Sequence, residues 1–281
     1  MYLDVSGSVT LLVIMERLMK GGPIMKAVKP IDGRLPLADR VNSYARYLPY
    51  RFGPAPSHNF TIVRTDLLQA LSEASLCRQL TIIQGPAGSG KTCLLAQWAD
   101  RLRQAGRTPV WLTLEQSDSD PLVMATGIAE ACVLAKLDQL GESIYAALPS
   151  LVHVPQDQVA RTIAALINGS GVKLIMIFDR YELADTPQLG GCVAALAEHC
   201  IGLHIAIASR HRPDMSLGDL RARNQLFELT PTQLNFSPEE TAAVVDRALP
   251  ELYAHRLHAK TDAAPIVIQF ARRAIEELEL A

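Results

Sequence analysis

The run Gly85-Pro86-Ala87-Gly88-Ser89-Gly90-Lys91-Thr92 matches G-x-x-x-x-G-K-[ST] at every fixed position. That pattern does one kind of chemistry: it holds phosphate. Glycines at 85, 88 and 90 open backbone conformations closed to residues with a Cβ, and they let the chain lie close against phosphate oxygens. The N–H groups of such a loop converge on the anion, and the positive end of a following helix adds to the attraction. Lys91 supplies a point charge for β- and γ-phosphates, and the Thr92 hydroxyl can ligate Mg²⁺. The loop with the adjoining Cys93 forms the candidate nucleotide-binding set, with ATP or ADP and Mg²⁺ as the expected ligands. Cys93 itself reads as a small core residue.

A P-loop needs an acid at the end of a neighbouring strand. The apolar run 174–178 followed by Asp179 supplies one, placed to orient Mg²⁺ opposite Thr92; a plain strand-end cap is the competing reading. Many P-loop ATPases carry a second carboxylate at the next position, as the base that polarises water. Here that position is Arg180, which cannot be a base, and Glu182 follows two residues later. Either Glu182 reaches the water by another route, or hydrolysis is slow or absent. Ser209-Arg210 closes another apolar run, at the strand edge where ligands bind in such sheets. Arg210 could bind a γ-phosphate through charge-assisted hydrogen bonds. His199, Cys200 and His204 span a helix-to-strand junction with no fourth ligand, and packing explains them better than a metal does.

The flanks fit these roles. Residues 80–84 form a short β-branched apolar run, the pattern of a buried strand, and 93–102 read as a helix. A helix over 65–74 precedes them, with Thr65 as its N-cap. Further strands are expected at 110–114, 173–178, 203–208 and 226–229. Helices are expected from Pro121 to about 136, over 156–167 with Gly169 and Gly171 as its stop, and over 190–200. From 237 the chain reads as all-helical: 237–249, about 250–259, and 266–280. Strands alternating with helices imply an α/β fold, a P-loop NTPase with a five-stranded, mainly parallel sheet covered on both faces, followed by a small helical region. The domain reading is a lead-in over 1–60 that is no domain of its own, a nucleotide-binding domain over 61–235 and a helical lid over 236–281.

Composition agrees. The 281 residues are 49% hydrophobic and 20% charged, with 27 basic against 29 acidic side chains. That is ordinary globular material, without the basic excess of a nucleic-acid binder. The five cysteines contain no C-x-x-C pair and fit reduced thiols in a cytoplasm. The apolar run 9–15 is too short to span a bilayer and lacks a basic n-region. Met15, Met19 and Met25 leave the true start open. Pro23, Pro30, Pro36, Pro49, Pro54 and Pro56 punctuate a stretch that also holds Tyr44, Tyr47, Tyr50 and Phe52. It reads as a lead-in wrapped on the domain.

Taken together, residues 84–98, the tryptophan strand 110–114, residues 118–121, Ile177-Phe178-Asp179-Arg180-Tyr181-Glu182-Leu183, Ala208-Ser209-Arg210, and 226–234 followed by Phe236-Ser237-Pro238-Glu239-Glu240 resemble the ATPase module of the large ATP-binding LuxR-type (MalT-like) transcription regulators. That group is a STAND-class branch of P-loop NTPases, and the resemblance covers about 60–275. It implies a helical, winged-helix-like region closing over nucleotide. It also implies that Arg64 lies near the base, and that Pro265 corresponds to the proline of a Gly-x-Pro turn near the adenine, with Ala263 in place of the glycine. An Asp-Asp-Tyr-His pattern of the family stands here as Asp179-Arg180-Tyr181-Glu182. Family members continue into inducer-sensing repeats and a DNA-binding helix-turn-helix. This chain stops near the end of the module, so no direct DNA binding is expected.

The leading expectation is an ATP/ADP-binding regulatory switch with slow or absent Mg-dependent hydrolysis. It would act through a protein partner or self-association, in the cytoplasm and away from membranes. An active ATPase of the AAA+ or origin-recognition type and an inert interaction protein with a relic P-loop are the alternatives.

Overall fold

The computed structural model describes residues 50–54, 62–245, 251–261 and 263–279. The lead-in expectations for residues before 50, the candidate start methionines and the apolar run 9–15 lie outside them.

Five strands form one sheet: β1 (Leu80–Gln84), β2 (Pro109–Thr113), β3 (Leu174–Asp179), β4 (Leu203–Ser209) and β5 (Leu226–Leu229). Their order is β2-β3-β4-β1-β5, and every pairing is parallel. The central strands are apolar at nearly every position because helices cover both faces. One face packs mainly against α3 (Pro121–Leu134), α4 (Asp138–Ala147), α5 (Gln156–Ser170) and α6 (Pro187–His199). The other packs against α1 (Thr65–Cys77) and α2 (Lys91–Gln104). A short α7 (Gly218–Ala222) precedes β5. The helices α8 (Pro238–Val245), α9 (Glu251–Lys260) and α10 (Pro265–Glu279) follow it. Those three gather a separate small core around Phe236, Val244, Val245, Ala254, Ala263 and Ile268.

Local chemistry explains the element ends, with some departures from expectation. Thr65 is not an N-cap: it is the first residue of α1, and Arg64 holds the cap position without a side-chain cap. Asp120 caps α3, accepting from the Leu122 N–H at 2.8 Å, with Pro121 in the first turn. Gly169 does not stop α5, which ends one residue later on Gly171 at φ +66°. The helices α4 and α7 have no counterpart in the sequence reading.

His204 of β4 is 3% exposed. It meets the Trp98 indole edge-on at 5.9 Å, and its Nδ1 donates to the Arg78 carbonyl at 2.9 Å. Among the described residues its Nε2 has no hydrogen-bond partner, so a second proton would find no acceptor. Burial pushes the imidazole pKa down to about 4. The unfolded chain therefore takes up a proton near pH 6.5 that the folded chain refuses until about pH 4. Stability is complete above pH 6.5 and falls between those limits, by up to about 3 kcal/mol. Urea unfolding at stepped pH should show His204→Gln losing less stability than wild type between pH 7 and pH 4.5. Parallel curves would remove His204 as the cause.

Candidate functional site

The phosphate loop connects β1 to α2 at the carboxyl edge of the sheet. Its glycines do conformational work at two positions: Gly88 and Gly90 have φ of +79° and +84°. Gly85 is fixed to the neighbouring strand by its N–H donating to the Ser209 carbonyl at 3.1 Å, and Ser89 N–H closes the turn onto Pro86. The N-terminus of α2 has no side-chain cap, so the positive end of a 14-residue helix opens into the loop.

The Lys91 ammonium folds back on this loop. It donates to the Gly85 carbonyl at 2.6 Å, the Pro86 carbonyl at 2.8 Å and the Ser89 hydroxyl at 3.3 Å. Burial lowers its pKa, while the carboxylates of Glu182 and Asp179 act against that shift. Thr92 donates its hydroxyl hydrogen to Asp179, with oxygen–oxygen distances of 3.0 and 3.1 Å. The acid that ends β3 thus meets the residue that begins α2. Asp179 is 3% exposed, and burial holds its carboxyl above the ordinary carboxylate range, against the hydrogen bonds from Thr92 and the Arg180 N–H.

Arg180 itself is exposed, with φ of +56°, a left-handed conformation uncommon outside glycine. That turn carries Glu182 to Arg210: Arg210 Nε donates to Glu182 at 3.0 Å, and the Arg210 N–H donates to the same carboxylate at 3.2 Å. The three acidic and basic candidates beyond the loop therefore converge on one edge, and Glu182 is engaged with a cation.

A cavity of about 430 Å³ opens beside the loop. Gly88, Gly90 and Lys91 to Leu94 form one wall, Ile62, Arg64 and Phe236 another, and α10 the third through Pro265, Ile266 and Phe270. Cys93 corrects the sequence expectation: it is exposed on this wall rather than buried, because its helical position faces the cavity instead of the sheet. Arg64 borders the cavity, but its N–H groups bind protein. They reach the carbonyls of Leu234 and Asn235 at 2.6 and 2.8 Å and Glu240 at 3.0 Å, and the guanidinium lies 5.1 Å from the centre of the Phe236 ring. It pins the start of α1 to the C-terminal helices.

The approach of Ile266 to the loop had no sequence signal, whereas Ala263, just beyond this wall, reads in the sequence as standing in place of a turn glycine. Ile266 lies against the loop so closely that a Cβ added to Gly88 would sit 2.5 Å from the Ile266 Cβ. Ala263 has φ of +55° and is buried, so the alanine two residues before Pro265 adopts the backbone a glycine would favour. Among the described residues, no group of three or more His, Cys, Asp or Glu could hold a metal ion, and His204 faces Trp98 and Arg78. No described helix is long and apolar enough to cross a membrane.

No family model matches the chain. It is 32% identical over 200 residues to the HTH-type transcriptional regulator MalT of Cronobacter sakazakii, covering 66% of this chain and 20% of that protein. MalT of Yersinia pestis is 34% identical over 188 residues, covering 64% and 19%. Among solved structures, a Walker-type ATPase of Pyrococcus abyssi is 14% identical with a TM-score of 0.47, covering 75% of this chain and 67% of that one. AMPPCP-bound DnaA from Aquifex aeolicus is 14% identical with a TM-score of 0.41, covering 79% and 65%. The resemblance to the large ATP-binding LuxR-type regulators thus holds at the level of sequence: this chain is similar to MalT over two thirds of its own length, and it spans about a fifth of the length of those relatives.

Proposed function

We propose that this chain is an ATP/ADP-binding regulatory switch whose hydrolysis is slow or absent. The observation that carries the reading is the meeting of Thr92 with Asp179 at the mouth of an uncapped, glycine-lined loop. Backbone N–H groups of 85–92 and the Lys91 ammonium would take the phosphates. The Thr92 hydroxyl and the buried Asp179 carboxylate are hard oxygen donors of the kind Mg²⁺ uses. Bound Mg²⁺ would neutralise charge on the β- and γ-phosphates. Arg210 would bind the γ-phosphate, and Cys93, Arg64 and Pro265 would border the nucleoside.

Residues 61–235 would form the nucleotide domain and 236–281 a lid whose position depends on the nucleotide. A difference in contact between the ATP and ADP states would bias that position and gate a protein partner or self-association, without direct DNA binding. Arg180 stands where a water-polarising base is expected and Glu182 is paired, which supports turnover below about 1 s⁻¹.

The test is chromatography of nucleotide released from freshly purified, denatured protein. ADP or ATP at close to one per chain is the expected result. Protein free of nucleotide that also shows no thermal shift with either one would leave the P-loop a relic. A rapid steady-state ATPase rate would instead favour an active ATPase.

A further inference from the structure

We infer that Glu182 sets the choice between nucleoside diphosphate and triphosphate by competing with the terminal phosphate for Arg210. The inference rests on the nucleotide-switch reading and goes beyond it, because it assigns Glu182 a role other than that of a base.

Gln84 pairs with Ser209 in the β1–β4 register, and the Gly85 N–H binds the Ser209 carbonyl. Arg210 is therefore the first residue past the strand that flanks the phosphate loop. Glu182 sits on the turn after β3, the strand on the other side of β4. Its carboxylate accepts from both the Arg210 guanidinium and the Arg210 backbone.

The two partners differ in exposure. The Glu182 side chain is 9% exposed and the Arg210 side chain 56%. The carboxylate is thus fixed and largely desolvated, and the guanidinium is the partner with room to move. Both charges act on Lys91, along with Asp179. Two cations and two carboxylates therefore face the loop, and they balance before any ligand arrives.

A diphosphate engages the loop N–H groups, Lys91 and Thr92, and leaves the Glu182–Arg210 pair intact. A terminal phosphate needs the cation that Glu182 already holds. It must draw Arg210 away, leaving a buried carboxylate without its charge partner. That costs affinity that a diphosphate does not lose. Glu182 thereby works as a positioning residue for Arg210, and the protein favours the diphosphate. Arg210 released by a triphosphate would carry the difference to the loop after β4.

Titration calorimetry with ADP and with AMPPNP, each with Mg²⁺, tests this on wild type, Glu182→Gln, Arg210→Gln and the double variant. Glutamine keeps the shape of Glu182 and removes the charge. Glu182→Gln should raise the ratio of AMPPNP to ADP affinity about tenfold, the scale of a typical coupling between sites, with a smaller gain in ADP affinity because one carboxylate facing the loop is gone. Arg210→Gln should lower AMPPNP affinity alone, and in that background Glu182→Gln should leave the ratio unchanged. The proposal falls if Glu182→Gln leaves the ratio at the wild-type value or strengthens both ligands equally. It falls also if the effect persists without Arg210. Should Glu182→Gln fail to fold, the Arg210→Gln ratio decides alone: an unchanged preference overturns the proposal. If wild type binds neither ligand, the nucleotide reading itself fails and the proposal with it.

Discussion

Lys91→Ala should abolish the stabilisation by ADP that the proposed nucleotide site implies. Wild type at an ADP concentration a hundredfold above Kd should gain about 2.7 kcal/mol from linkage. That corresponds to a melting temperature about 5–10 °C higher for a chain of this size. The alanine variant should gain nothing at the same concentration. The Lys91 ammonium is the one loop group that brings a full positive charge, and it lies within hydrogen-bond distance of three loop oxygens. Those bonds tie the cation to the loop, so phosphate need only exchange one set of oxygens for another. Removing the side chain also removes these bonds. The readout is therefore the difference between melts with and without ADP for each variant, not the melting temperature alone. Equal shifts in wild type and Lys91→Ala would show that phosphate is not bound at this loop.

Asp118→Ala costs about 3–5 kcal/mol of stability, the range for breaking a buried ion pair from one side. Asp118 has no exposed surface and Arg51 is 7% exposed. The guanidinium grips both carboxylate oxygens, at 2.8 and 3.0 Å. The same carboxylate accepts from the Glu115 N–H at 2.7 Å and closes a capping box on the turn after β2. Arg51 also accepts the Thr113 N–H on its carbonyl, extending the edge of the sheet. Its Nη2 passes over Gly127 of α3, where an added Cβ would lie 3.1 Å away. Without Asp118 a buried cation keeps only weaker partners, Glu130 and Glu115, the latter 3.9 Å away and partly exposed. Urea unfolding should show the loss at an unchanged m-value. The double variant Arg51→Met, Asp118→Leu should recover much of it, since the pair's own desolvation cost disappears with it. A single-variant loss below about 1 kcal/mol would mean that water reaches the pair.

How far the sequence shows this architecture depends on the range of each interaction. The span of β1 and the loop after it follow from a contiguous pattern, and β5 is read to the residue for the same reason. The acid at 179 is legible because an apolar strand can end on a charge only at the sheet edge. By contrast α4 was invisible. Its Gly141 looks like a breaker, yet that glycine is needed for contact: an added Cβ would lie 2.7 Å from the Ala129 carbonyl and 2.6 Å from Val133. Gly169 misled in the opposite sense, standing inside α5. At the site, residue types and the meeting of Thr92 with Asp179 were readable, and the other pairings were not. Glu182 and Arg210 come from different strand ends, Arg64 spends its donors on a segment 170 residues away, and Ile266 meets Gly88 only through the packing of α10. No periodicity encodes such meetings. Cys93 shows the same limit at short range: its helix is plain in the sequence, but the cavity it faces is made by distant residues.

The order of strands also sets when the loop can come into being during synthesis. β1 lies between β4 and β5, so both of its hydrogen-bonding edges wait for strands made much later. From Gln84 to Ser209 is about 125 residues, or roughly 6–25 s of elongation at ordinary rates. Through that interval the ribosome carries an apolar strand with two open edges, the arrangement most prone to pairing with another chain. Strands β2 and β3 can pair with each other before this, but neither touches β1. A stall before residue 209 would leave an emerged phosphate loop without the Ser209 carbonyl that fixes its first glycine. The glycine-rich loop is thus among the earlier parts of the sheet to be translated and among the last to be built.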